Sequence, residues 1–330
     1  MCRRFHEDPG PTVNLHGDAH IEQYAVTEIG RGLTDFDDAA RGPPAIDLVR
    51  MASSFVLTCE DNDIPCDPIL AAFFESYRTT LDTQSQPSGE PEWVKRIRDT
   101  FSPDRRAVLS DLDALMTAPQ SEARFDKLYT AYLAQMADEA PDVSPSFLAA
   151  KRRGKLNVGV GSALDEKYLV RIEGPSASED DDLFLEFKEV RDLSSVSCLS
   201  RVDLDSPLRV LRGQERLSYT PYNLVGYVVL SPEDPAPRAF WVHEWSDHYV
   251  EAEHNGFTDH RQLKEIARDV GAQLALGHPR SPDLAVSVEN RTHLAEWLDR
   301  NQTAVMETAQ ALADAISAEW IARFGAGSRP

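Results

Sequence analysis

The sequence has no long hydrophobic run. Nowhere in its 330 residues do apolar side chains approach the roughly 18 consecutive positions that a membrane-spanning helix requires. The N-terminal stretch MCRRFHEDPGP carries charges but no apolar segment behind it, so we expect no secretory signal. A membrane-spanning protein is therefore excluded, and a cytoplasmic location is expected.

Cysteine is also scarce. The chain has 4 cysteines, at positions 2, 59, 66 and 198, without C-x-x-C spacing or an evident pairing pattern. A chain of this length can bury a sizeable core without help from disulfides. We therefore expect four reduced thiols.

Basic residues are few relative to acidic ones. The chain has 34 Lys+Arg against 55 Asp+Glu, a formal net charge of −21, and such a surface repels a phosphate backbone. The one basic cluster, at positions 151–155, is interpreted as a solvated linker that leads into a strand. We expect no nucleic-acid partner and no membrane partner.

The remaining composition is that of an ordinary globular protein, with 42% hydrophobic and 27% charged residues. Apolar residues recur at helical spacing through most of 44–140 and again after position 258. Between them, the segments LNVGVGSALDEKYLVRIEG, DLFLEFKEV, GYVVL and AFWVHEW are typical of strands. We predict an α+β fold with helical residues 1–150, a small β-rich part at 151–255, and returning helices at 256–330.

The densest polar signal comes early, in HGDAHIEQ at 16–23, TDFDDA at 34–39, and Asp47. Histidines and aspartate on one loop can bind zinc, and DFDD can hold magnesium beside an aspartyl nucleophile, as in some phosphatases. Such clusters also satisfy the backbone groups of ordinary turns. Composition alone leaves these three interpretations open.

The spacing favours a fourth interpretation. A protein kinase places a base Asp in H-R-D-x-x-x-x-N and a metal-binding Asp in a following D-F-G turn. Here Asp18 follows His16 and Gly17, and Gln23 occupies the Asn position. Asp35-Phe36-Asp37 then resembles the metal turn.

Other kinase-like elements occur later in the chain. VGVGSAL at 158–164 resembles a phosphate-covering glycine loop, and Lys188 in FLEFKEV resembles the strand lysine that binds phosphates. Glu215 is the first candidate for the helix glutamate that pairs with this lysine, and Glu189 is the second. Glu244 and Trp245 fall where a hinge backbone would hold adenine. The loop residues expected to contact the nucleotide are Gly159, Gly161 and Ser162.

The order of these motifs is unusual, because kinases place the glycine loop and lysine before the catalytic loop. In this chain the catalytic-loop motif comes about 140 residues before the glycine loop, which indicates a circular permutation. AQLALGH at 272–278 resembles the helix that directly precedes H-G-D in aminoglycoside-phosphotransferase-like enzymes. The permuted junction would therefore join position 278 to the catalytic loop.

The sequence resembles the bacterial domain-of-unknown-function family 2252, which is grouped with protein-kinase-like folds. The resemblance runs from residue 16 to about 280, and its most specific stretch is DFDDAARGPPAIDLVRMASS. It implies a two-lobed, circularly permuted kinase-like fold that uses ATP and Mg²⁺. The other matching stretches are GDAHIEQYA, VGVGSALDEKYLV, FLEFKEV, RGQERL and IARDVGAQLALGH.

The resemblance also implies residue roles. Asp18 would be the catalytic base, Asp35 the main metal ligand with Gln23 and Asp37 as further ligands, and Lys188 a phosphate ligand. The residues expected to support the catalytic loop are His16, His20, Asp47 and Arg50.

Three departures from the family pattern bear on activity. Gln23 replaces an Asn, Leu164 replaces a loop glycine, and the helix acid is shifted three positions to Glu215. The first hypothesis is an ATP-dependent phosphotransferase acting on an unidentified small-molecule or protein acceptor, with cationic acceptors favoured by the acidic charge. The alternatives are a nucleotide-binding pseudokinase, a nucleotidyl (AMP) transferase on the same fold, and a metal-dependent phosphatase.

Irregular histidine spacing argues against a second metal site. His243, His248, His254 and His260 do not follow a ligand pattern, and we expect them at the surface.

Overall fold

A computed structural model describes residues 3–87, 89–118, 122–156, 165–202, 204–257 and 259–325. Within these residues the chain is a mixed α+β protein, as its composition pattern predicts. The helices are α1 Ala45–Asp61, α2 Asp67–Thr83, α3 Glu92–Arg98, α4 Arg105–Ala114, α5 Glu122–Glu139, α6 Pro207–Leu217, α7 His260–Gly277 and α8 Leu284–Phe324.

The described strands form three antiparallel sheets. The order is β1-β4 in the first, β5-β6-β7-β8-β10-β9 in the second, and β11-β2-β3 in the third. Their bounds are β1 Val13–Leu15, β2 Tyr24–Thr27, β3 Arg31–Leu33, β4 Ala40–Gly42, β5 Met116–Thr117, β6 Ala150–Leu156, β7 Lys167–Ile172, β8 Leu183–Glu189, β9 Gly226–Val229, β10 Ala239–Trp245 and β11 Tyr249–Glu251.

The six-stranded sheet has two chemically different faces. Side chains alternate along a strand, so Leu185 and Phe187 of β8 share one face while Glu186 and Lys188 share the other. Leu185 and Phe187 pack with Phe125 and Tyr132 of α5 in one buried cluster. The apolar face is therefore covered by α5, and the polar side chains of β8 lie on the opposite face.

A larger core joins helices from both parts of the chain. Phe55 of α1 and Phe73 of α2 make an edge-to-face contact with ring centroids 5.6 Å apart. Val270 of α7 and Trp297 of α8 are fully buried in the same cluster. Full burial of such side chains contributes roughly 1.5–3 kcal/mol each, so this core holds α7 and α8 against the N-terminal helices.

The strand β1 lies against the end of α7. The Asn14 amide nitrogen donates to the carbonyl oxygens of Gly277, His278 and Arg280 at 2.9, 3.2 and 2.8 Å. The Asn14 backbone N–H also donates to the His278 carbonyl at 3.0 Å. Carbonyls at a helix end lack partners within the helix, so Asn14 caps α7 from a distant part of the sequence.

Two expectations from the sequence need correction. Cys198 is disulfide-bonded, so the expectation of four reduced thiols is wrong at this position, although Cys59 and Cys66 are free. Positions 151–155 lie within β6 rather than in a linker. There Lys151 is paired with Asp182 at 2.6 Å.

The described helices were also compared with the requirements of a membrane span. None of them combines the length and the apolar composition needed to cross a bilayer.

Candidate functional site

Lys188 lies between two carboxylates of the early acidic turn. Its Nζ is 2.6 Å from Asp35 Oδ1 and 2.7 Å from Asp37 Oδ2. The lysine side chain is 7% exposed, whereas that of Asp35 is 34% exposed. The polar face of β8 thus meets the turn at a place where solvent reaches one of the two acids.

The local backbone explains how the turn presents both acids. Asp35 follows β3 directly and adopts a left-handed conformation, with φ 55° and ψ 69°. A short 3-10 helix, Phe36–Asp38, follows it. Left-handed geometry is uncommon for residues other than glycine and is often found at functional sites.

Phe36 anchors this turn in the core. Its buried ring packs edge-on against Tyr222, with centroids 6.2 Å apart, and against His16 at 5.1 Å. The carboxylates of Asp35 and Asp37 therefore flank a residue, Phe36, whose ring is held by packing in the core.

The three charged groups shift each other's proton affinity. Burial raises the pKa of Asp37 to about 7, although the Lys188 charge opposes this. Burial would also raise the pKa of Asp35, but the charge and hydrogen bond of Lys188 outweigh it and hold that pKa well below its ordinary value. Burial disfavours the lysine cation, yet the adjacent carboxylates keep the Lys188 pKa well above its ordinary value. The two acids thus differ sharply in pKa. Asp35 is ionised at neutral pH, whereas Asp37 changes its charge around pH 7.

An aromatic stack continues the polar face of the sheet beyond Lys188. The rings of Trp241 and His243 are 4.4 Å apart, and His243 stacks on Tyr222 at 4.6 Å. His243 Nε2 lies 3.0 Å from Glu186 Oε2, and Trp241 Nε1 donates to Asp37 Oδ1 at 2.8 Å. His243 is therefore buried, and its expected surface position is wrong.

The helix α6 reaches the turn through an arginine. Arg209 donates to the backbone carbonyls of Ala39, at 2.9 Å, and Asp37. Glu215 of the same helix is exposed and is not brought to Lys188. Glu189 follows Lys188 directly in β8, so its side chain lies on the opposite face of the strand, where it accepts the backbone N–H of Glu166 at 2.8 Å.

The loop that carries Asp18 is held by a buried aspartate of α1. Asp47 accepts the backbone N–H groups of His16 and Gly17 at 2.7 and 2.9 Å. His278, at the end of α7, places Nε2 3.2 Å from the same carboxylate. Asp47 therefore connects the loop to a helix from the far end of the sequence.

Asp18 itself lies beside two cations or potential cations. Arg50 of α1 forms an ion pair with its carboxylate, and His20 Nε2 lies 3.7 Å from Oδ2. Burial lowers the pKa of His20, so this imidazole tends to be neutral. The Asp18 side chain is 27% exposed and can be reached from solvent.

Gln23 lies next to the acidic turn through backbone pairing. The Thr34 backbone N–H donates to the Gln23 carbonyl at 2.8 Å, and Thr34 directly precedes Asp35. The Gln23 residue is 8% exposed. The sequence-predicted metal ligands are thus neighbours in the fold.

The structure describes the residues of the predicted hinge but not those of the predicted glycine loop. Glu244 and Trp245 end β10, where the Glu244 backbone N–H donates to the Asn223 carbonyl at 2.9 Å. That N–H already has a protein partner. The glycine-loop residues Gly159, Gly161 and Ser162, and Leu164, lie outside the described residues.

Several site residues were not predicted from the sequence. They are Glu186, Arg209, Trp241, His243 and His278, which contact the acidic turn, its stack or Asp47. For Glu186 a signal existed, because it stands two positions before Lys188 and strand alternation places both on one face.

The acidic turn offers two neighbouring carboxylates, those of Asp35 and Asp37, as metal ligands. Within the described part of the chain, no group of three or more His, Cys, Asp or Glu side chains could hold a metal ion. Mg²⁺, however, usually binds through one or two carboxylates together with substrate phosphates. The carboxylates of Asp35 and Asp37 fit the protein part of that donor set, and Lys188 Nζ lies within 2.7 Å of both.

The family assignment follows from comparison with known proteins. The family described as "Uncharacterized protein conserved in bacteria (DUF2252)" matches residues 4–117 and 96–324, and the chain belongs to it. No curated protein and no solved structure matches the chain.

Proposed function

We propose that the protein is an ATP- and Mg²⁺-dependent phosphotransferase with a circularly permuted, protein-kinase-like fold. The observation that carries the proposal is the contact of Lys188 with Asp35 and Asp37 at 2.6 and 2.7 Å. A strand lysine next to a metal-binding aspartate is the arrangement that kinases use around nucleotide phosphates. It arises here from segments 153 residues apart.

The topology supports the fold part of this proposal. In residues 150–245 the order is strand, strand, lysine strand, helix, strand and strand, and β8 pairs with β10 rather than with β9. The small lobe of a kinase begins with a glycine loop and a lysine strand, followed by a helix and the hinge. In the sequence, the predicted glycine loop at 158–164 falls between β6 and β7.

The ends of the permuted region support it as well. His278, which ends the segment AQLALGH, lies against Asn14 and Asp47, on either side of the catalytic-loop motif. In an unpermuted chain this segment would lead directly into that motif. The contacts thus supply the spatial continuity that a permutation requires.

In this mechanism the protein mainly positions groups and balances charge. Asp18 would orient the acceptor hydroxyl and take its proton. Lys188 would bind phosphate oxygens, and Asp47 would hold the Asp18 loop through the backbone of His16 and Gly17. When bound, Mg²⁺ would neutralise charge on the phosphates, with Asp35 and Asp37 as its protein ligands.

A second candidate function is nucleotide binding without turnover. The rings of Trp241, His243 and Tyr222 already stack beside Lys188, and the Glu244 N–H is already hydrogen-bonded. Together they indicate that the region expected to bind adenine differs from that of an active kinase. The same observation is compatible with a nucleotidyl transferase, in which ATP would bind in another orientation.

Thermal melting with and without Mg-ATP tests the proposal. Wild type, Lys188→Ala and Asp35→Ala are compared, with Lys95→Ala of α3 as an exposed control. At a hundredfold excess over its dissociation constant, a ligand stabilises by about 2.7 kcal/mol, a rise of several degrees for a chain of this size. We expect a Mg²⁺-dependent rise in wild type and Lys95→Ala and its loss in both site variants.

Product analysis then separates the candidates. ADP release requires phosphoryl transfer, pyrophosphate release requires nucleotidyl transfer, and a melting shift without either product identifies a binding module. Absence of any shift at millimolar Mg-ATP in folded wild type would overturn the proposal.

A further inference from the structure

A cavity borders the segment His20–Glu22, which follows Asp18. Its volume is about 430 Å³, within the size range of small-molecule sites. The walls come from the Asp18 loop, from α1, and from the last turns of α8. The lining includes none of the residues around the proposed phosphate site, namely Asp35, Asp37 and Lys188.

The cavity adjoins Asp18 through two of its lining residues. His20 and Arg50 both line it, and both contact the Asp18 carboxylate. Asp18 does not line the cavity itself but lies directly behind these two lining residues. The cavity is therefore next to the residue that would orient an acceptor hydroxyl.

The charge of the cavity is acidic. Among the described lining residues, Glu22 and Asp61 are acidic, and the basic Arg50 is paired with Asp18. His254 bridges the two acids, with Nδ1 2.9 Å from Glu22 Oε1 and Nε2 3.8 Å from Asp61 Oδ2. These carboxylates would attract a cation.

The opposite wall is apolar and aromatic. Leu57 of α1 faces Leu312, Ile316 and Trp320 of α8 across the cavity. An indole ring can hold both an apolar group and a neighbouring ammonium group. The cavity thus combines an apolar wall with an acidic one.

An unsatisfied hydroxyl gives independent support for a ligand. Thr58 lines the cavity and is fully buried, yet its Oγ1 has no hydrogen-bond partner among the described residues. Ser317 of α8 is half-buried, and its buried Oγ also has no hydrogen-bond partner among the described residues. Buried polar atoms are normally paired, so each of these hydroxyls can serve a bound polar group.

We propose that this cavity is the acceptor site and that it binds a small amphiphilic amino alcohol, with its ammonium group at Glu22 and Asp61 and its apolar part against Trp320. The inference rests on the proposed phosphotransferase function. The alcohol oxygen attacks the γ-phosphorus of ATP, the bond from that phosphorus to the bridging oxygen breaks, and ADP leaves. Asp18 receives the hydroxyl proton.

Calorimetric titration of the full chain without nucleotide tests the binding step. The probes are 2-amino-3-phenylpropan-1-ol and 3-phenylpropan-1-ol, which share the ring and hydroxyl and differ in the ammonium group. We expect the amine to bind about threefold to fivefold more tightly than the neutral alcohol, as one partly exposed charge pair allows. Glu22→Gln should remove most of that difference, while the exposed Asp67→Asn should keep it.

Trp320→Ala provides a second, independent variant and should weaken both probes. Equal affinity for the two probes, no binding of either at millimolar concentration, or an unchanged preference in folded Glu22→Gln would overturn the inference. Since the titration contains no ATP, its failure leaves the nucleotide proposal standing. A failed Mg-ATP melting experiment likewise leaves the titration result unaffected.

With Mg-ATP added, mass spectrometry of the amine tests the transfer step. Wild type should phosphorylate the probe, and Asp18→Asn should bind it but not phosphorylate it. Phosphorylation by Asp18→Asn at the wild-type rate would contradict the placement of the hydroxyl at Asp18.

Discussion

Lys188 and Asp35 are joined by a 2.6 Å salt bridge although 153 residues separate them in the chain. The lysine comes from the six-stranded sheet, and the aspartate comes from a turn that packs in the helical core. Neither segment alone can satisfy its own buried charge. The site is therefore also a structural joint between the sheet and the helices.

The first prediction concerns this joint. Lys188→Met keeps the length of the side chain but leaves the carboxylates of Asp35 and Asp37 without their cation. Removal of one partner from a buried ion pair typically costs about 3–5 kcal/mol. We expect a loss of this size in the free energy of unfolding, measured by urea denaturation.

Two further variants make the Lys188 result specific. Lys95→Met, at an exposed helix position, should change the free energy of unfolding by less than about 1 kcal/mol. Asp37→Asn in the Lys188→Met background should recover part of the loss. If Lys188→Met is as stable as wild type, the ion pair does not hold the sheet to the turn.

The second prediction concerns pH. Burial raises the Asp37 pKa to about 7, against about 3.8 in the unfolded chain. Between these values the folded state holds a proton that the unfolded state has lost, so this group makes the protein less stable as pH rises. Asp37→Asn cannot titrate, and its melting temperature relative to wild type should increase from about pH 5 to about pH 8.

The exposed Asp111→Asn controls for the loss of one carboxylate in this pH series. A melting difference between Asp37→Asn and wild type that stays constant or falls with pH would contradict the raised pKa of Asp37.

The third prediction concerns the backbone of the Asp18 loop. Gly17 has φ +86°, and a Cβ at this position would clash with the carbonyl oxygen of Asp38. Gly89 has a similar φ of +90° with nothing within 4 Å of such a Cβ. The Gly89→Ala variant should lose about 1–2 kcal/mol, from left-handed strain alone. Gly17→Ala should lose about 1–3 kcal/mol more because of the clash.

Chemical denaturation of both glycine variants measures this difference. Equal losses would mean that the Asp18 loop moves away from Asp38 without cost.

The fourth prediction concerns Asp47, whose carboxylate accepts two backbone N–H groups and lies near His278. Asn keeps the shape but offers one acceptor oxygen, so one buried N–H loses its partner. We expect a loss of about 2–3 kcal/mol in stability and a smaller Mg-ATP melting shift. Asp142→Asn, on an exposed loop, should change neither quantity.

Much of the fold could be predicted because its signals are local. The apolar residues Leu263, Ile266, Val270 and Leu274 recur at helical spacing and lie buried in α7. The strand-like segments around Lys188 and Trp241 form β8 and β10. Each segment shows its own periodicity, which does not depend on its partners.

The site was predictable where motif spacing carries the information. The spacing of Asp18, Asp35 and Lys188 predicts that they belong to one kinase-like site. The fold brings two of them, Asp35 and Lys188, into contact. The role of each residue stays a prediction.

Glu215 is a residue whose position motif spacing does not predict. Val210, Gln214 and Leu217 form the buried stripe of α6, and Glu215 follows Gln214 by one residue, so it is turned by about 100° toward solvent. The distance of Glu215 from the family position does not reveal its phase relative to this stripe. The Trp241–His243–Tyr222 stack could not be predicted, because its members come from separate segments that only tertiary packing brings together.

The contact of Asn14 and Asp47 with the end of α7 has a consequence for biosynthesis. A ribosome makes the Asp18 loop roughly 260 residues before His278, an interval on the order of tens of seconds. During that interval the amide of Asn14 and the carboxylate of Asp47 lack their partners at the end of α7. The Asp18 loop therefore reaches its final geometry only long after it has been translated.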